Sequence, residues 1–107
     1  MNSSIVIALP KIDDAKKIRT ILNRHGFSVA AVCSTASTAL ASMSELDGGI
    51  LICGYKLTDR YYRDVLEDIP SYFEMLLLAS GRVIAEAPTS VLTVEMPMNV
   101  SDLVNTV

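Results

Sequence analysis

Few side chains in this sequence could carry chemistry at neutral pH, and their spacing limits what that chemistry can be. Cys33 and Cys53 stand twenty residues apart without a CxxC spacing, and His25 is the single histidine. A structural zinc needs four thiolate or imidazole ligands in short-range pairs, and a disulfide scaffold needs more cysteines than two, so neither is expected. Cys53 closes the apolar run Ile50-Leu51-Ile52-Cys53. A thiol sensor is one reading of it; a packed core side chain is the favoured one, because free cysteine is among the most often buried residues. Asp13 and Asp14 are adjacent carboxylates suited to a divalent cation, yet they open an amphipathic segment, where negative charge complements a helix dipole. Asp59 stands alone in a polar stretch. One carboxylate rarely holds Mg²⁺, so a solvated loop position is expected, with a phosphoryl acceptor as the minor alternative. Lys11, Lys16, Lys17, Arg19 and Arg24 form a basic set, read as a solvated helix face with a favourable Asp13–Lys17 pair at i,i+4 rather than an RNA or partner patch. His25 before Gly26 suits a helix C-terminus, and Tyr61-Tyr62 read as a half-buried packing pair.

The elements that must position these residues alternate in type. Ser4–Leu9 (SIVIAL) reads as a strand buried on both faces and closed by Pro10. Ala15, Ile18, Ile21 and Leu22 recur at helical spacing from Ile12 to Arg24, and His25-Gly26 supplies the stop. Phe27–Cys33 is a second strand. Ser34 is the expected cap of a helix in which Ala36, Ala39, Leu40 and Met43 share a face. Asp47-Gly48-Gly49 turns the chain into a third strand, Ile50–Cys53, which is followed by a polar loop from Tyr55 to Arg60. Tyr61–Asp68 supports about two helical turns before Pro70. Met75–Leu78 is the fourth strand, Ser80–Pro88 allows only a short helix, and Val91–Met96 is the fifth strand. Ser101 caps a last helix with Leu103, Val104 and Val107 facing inward. The alternation predicts a doubly wound, five-stranded parallel α/β sheet with shortened third and fourth helices. Sites on such sheets gather at the carboxyl ends of the strands.

Composition narrows the classes further. The 107 residues suit one domain, and half are apolar, which excludes a disordered chain. Nine Lys and Arg against twelve Asp and Glu give a net charge of −3, which disfavours a polyanion as the main ligand. No apolar run reaches the roughly 20 residues of a membrane span and no signal peptide is recognisable, so a cytoplasmic protein that meets neither membrane nor DNA is expected.

The segments SIVIALP, KIRTILNRHGFSV, ELDGGILICGYKLTD, MLLLAS and VEMP together resemble a response-regulator receiver domain along essentially the whole chain. The resemblance implies a flavodoxin-like (CheY-like) sheet in the order 2-1-3-4-5. It also implies an acidic pair after the first strand, a phosphoacceptor aspartate after the third, a hydroxyl after the fourth and a Lys-Pro after the fifth. Here those positions hold Leu9 and Pro10, Gly54, Ala79, and Met96 before Pro97; only the proline persists, and the resemblance implies before it the cis peptide that the family places there. Thr93 stands where receivers place an aromatic switch residue. None of Leu9, Pro10, Gly54, Ala79 and Met96 can act as a carboxylate nucleophile, hold Mg²⁺ or pair with a phosphoryl group. The resemblance is thus to a pseudo-receiver.

More narrowly, SIVIALPKIDDAKKIR with LDGGILICGYKL and FEMLLLAS is similar to the amino-terminal receiver of ANTAR-type transcription antitermination regulators. That likeness implies one receiver-like domain over residues 1–107, truncated before a C-terminal RNA-binding domain. The expected function is a non-phosphorylatable signalling and interaction module, not an enzyme and without cofactor, that touches RNA only through the downstream domain. The alternative is a small-ligand sensor using the emptied pocket. A homodimer or partner contact is expected on apolar side chains exposed around Val91, Leu103 and Val107 by the short fourth helix.

Overall fold

β-Branched and leucine-rich runs become strands here because they are covered on both sides. The computed structural model describes residues 4–88 and 91–95. Nine elements alternate in the order β1 (Ser4–Ala8), α1 (Ile12–Arg24), β2 (Val29–Cys33), α2 (Ala36–Ser44), β3 (Gly49–Gly54), α3 (Tyr62–Asp68), β4 (Phe73–Ala79), α4 (Gly81–Ala85) and β5 (Leu92–Glu95). All strand pairs are parallel, and the sheet order is β2-β1-β3-β4-β5, as expected from the sequence. With α3 at 7 residues and α4 at 5, both helices are short.

Alternation along each strand divides the core into two layers. Val6 and Ala8 of β1, Leu51 and Cys53 of β3, and Met75 and Leu77 of β4 pack with α2, Tyr62 and Val65 on one face. Ile5, Ile7 and Leu9, Ile52, and Leu76 and Leu78 point the other way, onto Ala15, Ile18 and Leu22 of α1. A strand lined by apolar residues on both faces has no solvent side, which is why ILIC and MLLLA read as unbroken apolar runs. Among the described residues no polar or charged residue is buried.

The ends of the elements follow local chemistry. At the end of α1 the Gly26 amide donates to the Asn23 carbonyl at 3.2 Å and the Phe27 amide to Leu22 at 3.0 Å, a Schellman closure that Gly26 permits at φ 86°. The cap of α2 is Thr35, not Ser34: the Thr38 amide donates to Thr35 Oγ1 at 3.2 Å, while the Ser34 carbonyl accepts from Thr58. Strand β4 is longer than MLLL and begins at Phe73, because Gly49 and Phe73 align across β3 and β4. Val91 is 7 % exposed and packs in the α2–α4 layer beside the partly buried Val83, Ile84 and Ala87. This corrects the expectation for Val91 alone: a five-residue α4 still covers the start of β5. Leu103 and Val107 lie outside the described residues, as do Met96 and Pro97.

Gly49 opens β3 at φ 157°, hard against β1, where an added Cβ would stand 1.8 Å from the Ser4 carbonyl oxygen. The obstacle is backbone, which no rotamer relieves. Gly49→Ala is expected to destabilise the domain by more than about 3 kcal/mol, through strain and loss of β1–β3 pairing. The urea midpoint of the variant against the parent checks this; a difference under about 1 kcal/mol contradicts the fit.

Candidate functional site

The strand ends bring Leu9, Pro10, Gly54 and Ala79 to one rim of the sheet, as the sequence led one to expect. β1 and β3 are neighbours with Ala8 opposite Cys53, so the residues that follow, Leu9 and Gly54, lie side by side. A Cβ on Gly54 would meet Leu9 Cδ2 at 3.1 Å and Pro10 Cδ at 3.5 Å. The leucine occupies the space into which a longer residue at position 54 would project, and it is itself 8 % exposed. Ala79 is buried at the end of β4 and offers only a methyl group. Thr93, on β5, pairs with Leu77 of β4 and is half-buried.

Above these residues opens a cavity of ≈ 440 Å³ lined by Leu9, Pro10, Asp14, Lys17, Ile18, Gly54, Tyr55, Lys56 and Leu78. Its floor is hydrocarbon. Its polar groups come from side chains at the rim, with Asp14 the single carboxylate among the lining residues. Among the described residues no group of three or more His, Cys, Asp or Glu side chains is close enough to hold a metal ion. Asp13 and Asp14 sit in the first turn of α1, where the dipole reading placed them, and the only ion pair among the described residues is Arg60–Asp68 at 2.6 Å, so Asp13 and Lys17 do not form the expected bridge.

Sequence reasoning missed how the β3–α3 loop is built. It folds back on itself: Lys56 and Tyr61 form an antiparallel bridge, the Leu57 amide donates to the Arg60 carbonyl at 2.7 Å, and the Tyr62 amide donates to Tyr55 at 3.0 Å. Leu57 is 1 % exposed and joins the core, a burial worth on the order of 2 kcal/mol. Its lone apolar character within a polar loop was the available signal. Tyr61 and Tyr62 are not a half-buried pair. Tyr62 is fully buried, whereas Tyr61 is exposed with its ring centroid 5.4 Å from that of Tyr55 and the Lys56 ammonium 5.3 Å from its own centroid.

Asp59 is exposed, as a loop residue should be, but it is not idle. Its carboxylate accepts from the Ala36 amide at 2.7 Å and from both the amide and hydroxyl of Ser37 at 3.2 Å. With Thr35 serving Thr38, the three leading amides of α2 all have acceptors. The bond from the Ala36 amide is the largest cause holding the Asp59 carboxyl below the usual aspartate range. Cys53 is buried in the core, where desolvation pushes its thiol up to about 12. Cys33 is also buried and raised, chiefly by desolvation. Both are free thiols, on strands separated by β1.

Because the folded carboxyl of Asp59 titrates below its unfolded value, its contribution is present above the unfolded pKa of about 4 and lost as pH falls through the folded one. Asp59→Asn should therefore lower the melting temperature at pH 7, and the gap to the parent should shrink as both are acidified below about pH 4. A constant gap across that range contradicts the tether. Cys53 should resist alkylation by iodoacetamide at pH 8 in the folded protein and react once urea unfolds it, since almost no thiolate exists in the core. Equal labelling rates in both states contradict this.

No protein-family model matches the sequence, and no curated protein does. Solved structures match it closely in backbone and weakly in sequence. The anti-anti-sigma factor PhyR from Bartonella quintana superposes with a TM-score of 0.80 at 18 % identity, covering 99 % of this chain and 45 % of that one. A response regulator receiver domain protein from Clostridium thermocellum gives 0.82 at 17 % identity, over 97 % of this chain and 90 % of that one. A structure named adenylate cyclase, from Rhodopirellula baltica, gives 0.84 at 16 % identity, over 98 % and 84 %. The chain thus spans less than half the length of the PhyR protein it matches. Its fold is the CheY-like, flavodoxin-type fold seen in response-regulator receiver domains.

Proposed function

We propose that this domain is a pseudo-receiver: a signalling and interaction module that keeps the receiver scaffold and works without phosphorylation. The observation that carries the reading is the contact between Leu9 and Gly54. The position where receivers present the acceptor carboxylate has no side chain, and the adjacent leucine fills the space that one would enter. Hydrocarbon at Leu9, Pro10 and Ala79 leaves neither oxygen ligands for Mg²⁺ nor a hydroxyl for a phosphoryl oxygen. We assign it no enzymatic activity, a cytoplasmic location, and a role executed through self-association or a partner protein. No helix among the described residues is long and apolar enough to cross a membrane.

The likeness of SIVIALPKIDDAKKIR and LDGGILICGYKL to ANTAR-type regulators supports a finer reading, in which the module serves transcription antitermination beside an RNA-binding domain. On that reading RNA is contacted by the other domain, which agrees with the net charge of −3 here.

Incubation with acetyl phosphate and Mg²⁺ should leave the intact mass unchanged. Gly54→Asp should gain no phosphoryl adduct either, because Leu9 and Pro10 still supply no metal ligand; it should also lose about 1–3 kcal/mol of stability by crowding Leu9. A phosphoryl adduct on the parent protein, removed by Asp59→Asn, overturns the proposal in favour of acceptance at Asp59.

A further inference from the structure

The cavity over Leu9 and Gly54 lies at the carboxyl ends of the neighbouring strands β1 and β3, where the chain leaves β1 toward β2 on one side and leaves β3 toward β4 on the other. In open parallel sheets this divergence at the carboxyl ends of the strands is where small ligands seat. Its volume, ≈ 440 Å³, falls within the roughly 300–1,000 Å³ of small-molecule sites. Inorganic phosphate is a poor match, because the floor presents Leu9, Ile18 and Leu78 rather than amides or hydroxyls. An uncharged hydrocarbon leaves the rim unused. Lys17 lines it from α1 and Lys56 from the β3–α3 loop, the latter with its ammonium resting over the Tyr61 ring, against one carboxylate, Asp14, so the lining carries a formal positive charge in a chain that is negative overall.

We propose that this cavity binds a small amphipathic monoanion, an alkyl or aryl carboxylate, with its apolar body on Leu9, Ile18 and Leu78 and its carboxylate between Lys17 and Lys56. This rests on the reading that the site has shed its phosphoryl chemistry. Apolar burial supplies the affinity, and the two ammonium groups orient the ligand. The geometry also provides a route outward. Tyr55 lines this cavity and a second one of ≈ 440 Å³ on the α3–α4 side, and its ring is within 6.0 Å, centroid to centroid, of both Tyr61 and Tyr62. A ligand seated against Tyr55 therefore presses on an aromatic cluster that joins the site to the exposed surface around Arg63 and Glu86.

Octanoate, octan-1-ol and acetate separate the contributions: charge with body, body alone, charge alone. The chain has four tyrosines and no tryptophan; Tyr55, Tyr61 and Tyr62 cluster beside the cavity and Tyr72 stands apart beside Phe73, so in a Tyr72→Phe background tyrosine emission reports Tyr55 and its neighbours, and amide chemical shifts locate the site. Octanoate should saturate, shifting the Gly54, Tyr55 and Lys56 amides and changing tyrosine emission, while acetate does neither at the same concentration. In the double variant Lys17→Gln and Lys56→Gln, both exposed positions, octanoate should bind about threefold or more weakly and octan-1-ol unchanged. Lack of saturation by octanoate, equal loss of octanoate and octan-1-ol binding, or shifts mapping elsewhere would each overturn the assignment. Mass spectrometry after acetyl phosphate is a separate readout, so a failed ligand and a failed pseudo-receiver are told apart.

Discussion

The pairing of β1 with β3 is the constraint on which the rest of this domain depends. Five residue pairs run from Ser4 opposite Gly49 to Ala8 opposite Cys53, in the middle of the sheet, with side chains buried on both faces. Both ends are sealed by a glycine. Gly49 lets the two backbones meet at the start, and Gly54 lets Leu9 fold over the end. Because the strands are parallel and adjacent, the residues after them meet on one rim, so the register that builds the core also builds the site. The hydrocarbon nature of that site then follows from packing: Leu9 continues the α1-side layer of Ile5 and Ile7 by one more alternate position.

Most of the fold was legible in the sequence, for reasons that can be traced to particular residues. SIVIA and ILIC are too short and too apolar for surface helices and too unbroken for half-exposed strands, which leaves buried parallel strands. Tertiary pairing settled what local pattern could not: Phe73 joined β4 through its alignment with Gly49, and Val91 was buried by a helix of five residues. The acceptor set of α2 was opaque for a different reason. Asp59 caps amides 22 and 23 residues earlier in the chain, and nothing local in either segment announces the other. Leu57 and the division of Tyr61 from Tyr62 were obscured by the assumption that a polar loop is open, whereas this one closes through its own backbone.

The site itself was read as a set of absences, and the structure gives those absences a shape. Gly54 offers no side chain, Leu9 Cδ2 borders the space above it, and the rim is a hydrocarbon recess with charged lips. Likeness of backbone to PhyR and to a structure named adenylate cyclase alike shows how little the scaffold alone says about output. What the loop geometry adds is anchorage. Asp59 and Thr58 fasten the β3–α3 loop to the β2–α2 junction, while Tyr55 and Tyr62 bind the same loop to α3, so the loop that lines the recess is tied to two helices.

At one outer edge of the sheet, β2 carries the sequence VAAVC, with no charge and no proline to discourage another chain from pairing with it. Its register against β1 is broken between Ile5 and Val6, where Val29 and Ala31 are the partners and Ala30 is the extra residue. Such an irregularity bends and twists a strand, so the outward amides and carbonyls no longer form the straight, evenly spaced ladder that fibrous stacking copies. A rim built from small apolar residues thus departs from a flat, straight edge at Ala30, the departure by which uncharged edge strands are kept from templating further pairing.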